Sequence, residues 1–170
     1  NDGNVIPENG FETKNYNPVP LLMLTGSSEF SMFAKFDPYF GQYFKDDKIN
    51  GKGLKEFNFA SKYGGKLYGL FNVEDSAEKM FPNYKADIYG MEIKFGDNKE
   101  AVGEKMALYG AFHGVFVPLL DTDSQNYTWL AGDAYNSAGA QELSLIFKKY
   151  LYNFIRTGNP NGENLVYWDK

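Results

Sequence analysis

The sequence predicts an α/β fold, with part of a mostly parallel sheet flanked by helices, and three observations carry that prediction. A continuous apolar run, Leu21-Leu22-Met23-Leu24-Thr25, has the character of a fully buried strand. A second run alternates Tyr89, Met91, Ile93 and Phe95 with Gly90, Glu92 and Lys94, the period of a strand with one face in the core. Helical periodicity lies between and beyond these strands, and strand and helix signals in alternation mark helices layered on a sheet.

Each element follows from local chemistry. Pro20 opens the first strand and Gly26-Ser27-Ser28 ends it. Ser28 is placed to cap a helix in which Phe30, Phe33 and Ala34 recur at helical spacing, and Asp37-Pro38 interrupts that helix. Asn50-Gly51 and Gly53 mark a loop. A second helix then carries Leu54, Phe57, Ala60 and Tyr63 on one face until Gly64-Gly65 stops it. Gly96-Asp97-Asn98 closes the alternating strand. The clearest element is the last: Leu143, Ile146, Phe147, Tyr150, Leu151, Phe154 and Ile155 share one helical face, opposite Lys148, Lys149 and Asn153. Ser137 suits its start, Arg156 its negative end, Gly158 a left-handed stop, and Pro160 forbids continuation. No repeat, linker or low-complexity tract divides residues 1–170, so they form one unit.

Composition bounds the function. A chain of 170 residues that is 43% apolar can bury a core. Seventeen basic against twenty-two acidic residues, with no basic run longer than Lys-Lys, argue against nucleic acid and an anionic membrane surface as partners. No apolar run is long enough to span a bilayer, and Asn1-Asp2-Gly3 lacks signal-peptide design. The absence of cysteine removes disulfides and thiolate metal sites; it favours the cytoplasm, while a leader removed upstream of Asn1 leaves secretion open. With one histidine, a zinc site would need three carboxylates or water, so no metal or cofactor is expected. Aromatics reach 18%, which fits core and pocket lining or a sugar-binding face.

The chemistry centres on His113, the sole histidine, in the string Tyr109-Gly110-Ala111-Phe112-His113-Gly114. Histidine exchanges protons near neutral pH, and a buried carboxylate can hold its ring in one tautomer. Glu29, directly after the first apolar run, is the candidate carboxylate. Taken alone, His113 also fits a satisfied loop histidine and Glu29 a helix-start carboxylate.

Four motifs in order carry a resemblance. Asp2-Gly3-Asn4-Val5-Ile6-Pro7 resembles a "D-G-x-x-x-P" segment, and Val19-Pro20 followed by the apolar strand and Ser28-Glu29-Phe30-Ser31 resembles a strand that delivers a triad acid. Gly110-Ala111-Phe112-His113-Gly114 is similar to a catalytic histidine loop, and Thr157-Gly158-Asn159-Pro160-Asn161 with Trp168 resembles "T-G-x-P-N … W". Together they resemble, from end to end, the C-terminal segment of the type-B carboxylesterases, the cholinesterase-like α/β-hydrolases. The resemblance implies a serine esterase acting on small carboxylic esters, with Glu29 orienting the imidazole and His113 as general acid and base.

It also implies what this chain lacks. The family's nucleophile motif "G-E-S-x-G" and its glycine-rich oxyanion strand precede the matching segment. The nucleophile is therefore expected on an N-terminal part of the same protein, and the isolated chain is expected to be inactive and prone to self-association through uncovered apolar surface. Asn136-Ser137-Ala138-Gly139 is not a nucleophile elbow, because Tyr135 stands where the strained turn requires glycine. Phe116 stands where the family often has glutamate. Asp121-Thr122-Asp123 begins like a calcium loop but has Asn126 where glycine is required. Gly51-Lys52-Gly53 and Gly64-Gly65-Lys66 read as turns, and Asn126-Tyr127-Thr128 is a formal glycosylation sequon. Phe30, Phe33, Phe112 and Phe116, near the triad residues in sequence, imply an apolar, aryl-tolerant site. Two other readings stand beside the esterase: a non-catalytic interaction protein on the same scaffold, and a carbohydrate-binding module using Trp129 or Trp168.

Overall fold

A computed structural model describes residues 2–121 and 127–170. The fold is mixed α/β, just over half helical, around a two-stranded parallel sheet with flanking helices. The strands are those the hydrophobic pattern marks: β1, Leu21–Gly26, pairs in parallel with β2, Ile88–Ile93, with Leu21 opposite Ile88 and Gly26 opposite Ile93. Along β2 the alternation holds, since Tyr89 and Ile93 are buried while Gly90 and Glu92 face outward.

Between the strands run α1 (Ser31–Phe36), α2 (Pro38–Gly41), α3 (Gly51–Gly69), a π-helical turn (Leu70–Glu74) and α4 (Asp75–Met80). After β2 come α5 (Lys99–Tyr109), α6 (Val117–Leu120), α7 (Thr128–Ala131) and α8 (Ala138–Thr157). Asp37 separates α1 from α2 as expected and caps α2 by accepting from the Tyr39 N–H at 2.8 Å.

Four local expectations are corrected. Ser28 is not a helix cap: residues 28–30 form a turn, α1 starts at Ser31, and no side chain caps it. Gly51 and Gly53 do not lie in a loop but open α3, where Gly53 gives room to the Tyr43 ring. Gly64-Gly65 does not stop that helix, so Gly64-Gly65-Lys66 is no turn. A methyl group on Gly65 would lie 2.6 Å from the Ser27 carbonyl oxygen, so this glycine lets α3 pass against the end of β1. The helix continues to Gly69 and then through the π turn to Met80. The apolar face of α8 is only partly covered: Phe147 is buried, whereas Ile155 is 79% exposed. Residues 122–126 of the calcium-like stretch, and Asn126 of the sequon, lie outside the described residues.

The start and stop of α8 follow the sequence signals. Ser137 Oγ accepts from the Ala140 N–H at 3.2 Å, and Gly158 is left-handed with φ 75°. Tyr135 is buried and donates its hydroxyl to the Val115 carbonyl at 2.8 Å, which fixes this corner as core rather than nucleophile elbow. The main core gathers Phe57, Met106, Tyr109, Phe112, Val115, Leu119 and Leu130. Phe57 is fully buried, with the rings of Phe44, Phe40 and Tyr109 at 5.3, 6.1 and 6.2 Å, all near-perpendicular. Truncating such a side chain to alanine typically costs about 3–5 kcal/mol.

Candidate active site

Both predicted site residues lie beyond the C-terminal ends of the parallel strands, where open α/β sheets place their ligand sites. Glu29 sits in the turn that leaves β1. Its side chain folds back so that Oε1 accepts the N–H of Gly26, the last strand residue, at 2.6 Å. The Glu29 side chain is 5% exposed, and burying a carboxylate demands partners for both oxygens. Oε2 has its partner in His113 Nδ1, 2.6 Å away across 84 residues of sequence.

His113 reaches that position through a loop fastened to β1. At the end of α5, Gly110 takes φ 61° and turns the chain sharply. The Ser28 N–H then donates to the Ala111 carbonyl at 3.1 Å, tying the histidine loop to the Glu29 turn. Phe112 and Val115, on either side of the histidine, are buried and anchor the loop in the core, while the His113 side chain is 55% exposed.

A proton on Nδ1, held by the buried carboxylate, leaves the lone pair on Nε2. That is the tautomer a general base requires. Two rings flank the imidazole: Phe33 at 5.3 Å and Tyr68 at 6.0 Å between centroids, themselves stacked at 5.7 Å and 25°. They form an aromatic wall beside the imidazole.

The sequence reading of that wall is corrected in two respects. Phe112 belongs to the buried core, and Phe30 and Phe116 pack against it, so of the four candidate phenylalanines Phe33 is the one paired with the histidine ring. Tyr68 was missed because it lies beyond the glycine pair that reads as the end of α3, although it falls in helical register with Phe57, Ser61 and Gly65, the buried face of that helix. Trp168 is held by Asn161 and by edge-to-face contacts with Tyr89 and Tyr150, and Trp129 covers the Lys35 ammonium at 5.2 Å. Both tryptophans thus take part in packing within the chain, and Trp129 remains 46% exposed.

Among the described residues, no group of three or more His, Asp or Glu side chains could hold a metal ion, and no helix is long and apolar enough to cross a membrane. No known family model matches the chain, and no curated protein matches it.

Proposed function

We propose that this chain carries the acid and base of a serine carboxylesterase of α/β-hydrolase type, with the nucleophile and oxyanion hole supplied by an N-terminal part of the same protein. The observation that supports this most is the 2.6 Å bond between His113 Nδ1 and Glu29 Oε2, made at the C-terminal ends of adjacent parallel strands with the imidazole still open to solvent.

In the proposed reaction His113 Nε2 takes the serine proton as Oγ attacks the ester carbonyl. It returns that proton to the departing alcohol, leaving an acyl-enzyme, and then deprotonates the water that releases the acid. Glu29 stabilises the imidazolium in both transition states. The Phe33–Tyr68 wall favours esters with an apolar or aryl group next to the carbonyl.

The test is to translate the reading frame upstream of Asn1 and express the resulting protein. A strand followed by G-x-S-x-G, with ester hydrolysis lost in His113→Ala, supports the proposal. A frame without such a serine overturns it and leaves the scaffold a binding role.

A further inference from the structure

We propose that Asp97 is a positioning residue for the dyad, holding the histidine loop in register with the Glu29 turn; this rests on the reading of Glu29 and His113 as an acid–base pair. Asp97 stands in the turn that closes β2, its own N–H donating to the Lys94 carbonyl at 3.0 Å. Its carboxylate reaches the segment that carries each member of the dyad. Ser27 Oγ donates to it, 2.8 Å from Oδ1 and 2.7 Å from Oδ2, and the Ala111 N–H donates to Oδ1 at 3.4 Å. Ser27 adjoins Gly26, whose N–H holds Glu29, and Ala111 is two residues before His113. One side chain therefore joins the segment that aims the carboxylate to the segment that aims the imidazole.

The surrounding backbone is shaped to this contact. Gly96 has φ 122°, and a methyl group there would meet the Gly110 carbonyl carbon at 2.4 Å, so the Asp97 turn lies flat against the start of the histidine loop. The next residue, Asn98, caps α5 by accepting from the Glu100 N–H at 3.0 Å. The turn thus launches the helix with Asn98 and captures the chain beyond its far end with Asp97.

His113 is the only histidine, so a sample labelled with nitrogen-15 gives one imidazole signal set, whose shifts report the ratio of Nδ1–H to Nε2–H tautomers with the ring neutral. The parent chain is expected to show the Nδ1–H form, and Glu29→Leu to lose it. Asp97→Ala is expected to lower the ratio by roughly three- to tenfold, the scale of one hydrogen bond. Asp97→Asn, which keeps an acceptor for Ser27 and Ala111 without the charge, is expected to restore most of it. If Asp97→Ala does not fold, Ser27→Ala, which keeps the Asp97 charge and removes its hydroxyl partner, is expected to show part of the same loss.

A ratio unmoved by these substitutions, or moved equally by Asp97→Ala and Asp97→Asn, overturns the positioning role, the second because it shows a through-space charge effect. A ratio that Glu29→Leu leaves unchanged takes down the dyad itself, an outcome distinct from the failure of Asp97.

Discussion

Gly26 and Ala111 meet so closely that a methyl group on Gly26 would lie 2.3 Å from the Ala111 carbonyl oxygen. The end of β1 and the histidine loop share this contact, and the dyad spans the same gap. Gly26→Ala is therefore expected to push the two segments apart. A clash with backbone on both sides has no soft side chain to absorb it, so the loss should reach about 3 kcal/mol. Urea unfolding with tryptophan fluorescence measures it; a change under about 0.5 kcal/mol would show that the contact is slack.

Lys35 makes a second clamp between the segments that carry the dyad. Its side chain is 11% exposed, and its ammonium bonds to the Tyr109 hydroxyl at 2.8 Å and to Asp47 at 2.9 Å, among the rings of Phe44, Tyr109 and Trp129. Burial presses this ammonium toward deprotonation, but the hydrogen bonds to Tyr109 and Asp47 outweigh it and hold its pKa above the usual lysine value. Burial acts the opposite way on the Tyr109 phenol and raises its pKa. Both groups have folded pKa values above their unfolded ones, so their contribution is complete below the unfolded values and is lost as pH rises through the folded ones. Stability should fall in the alkaline range, above about pH 10, and Tyr109→Phe, which removes the raised phenol and the hydrogen bond that raises Lys35, should make that fall shallower. Thermal melts at neutral and alkaline pH check this; parallel curves for parent and variant would contradict it.

The isolated chain should hydrolyse nitrophenyl esters no faster than free imidazole. On the proposed reading it supplies only the base and its orienting carboxylate, whereas catalysis by such sites also draws on a nucleophile and an oxyanion hole. Saturable turnover by the purified chain, abolished in His113→Ala, would refute the expectation.

Exposed apolar side chains should drive the purified chain to self-associate. Leu145, Tyr152 and Ile155 on α8, and Phe59, Tyr63 and Leu67 on α3, all stand open to solvent. Light scattering coupled to size exclusion should show mass rising with concentration, and Leu145→Lys with Ile155→Lys should reduce it. A clean monomer at high concentration counts against the expectation.

The sequence pattern reveals elements whose burial is simple and hides those that depend on distant partners. β1, β2 and α8 are legible because one continuous or periodic apolar face matches one element. α5 is not: Gly103, at φ 80°, breaks its regular backbone, and its apolar residues show no single face. Gly64 and Gly65 mislead because a glycine that stops a helix and one that lets another chain approach look alike in sequence. Glu29 and His113 stand out through motif position, while Asp97 reads as a mere turn residue, since Ser27 lies 70 positions away.

The two borders of the sheet differ. The carbonyls of Asp87 and Ile93 accept from Leu21 and Ser27 on the β1 side, so the Gly90 carbonyl, of opposite parity, points outward, and there Trp168 Nε1 donates to it at 2.9 Å. Beyond β1 no strand lies among the described residues. A strand pairing with β2 on its outer side would have to displace the Trp168 bond, so the C-terminal segment guards that border of the sheet.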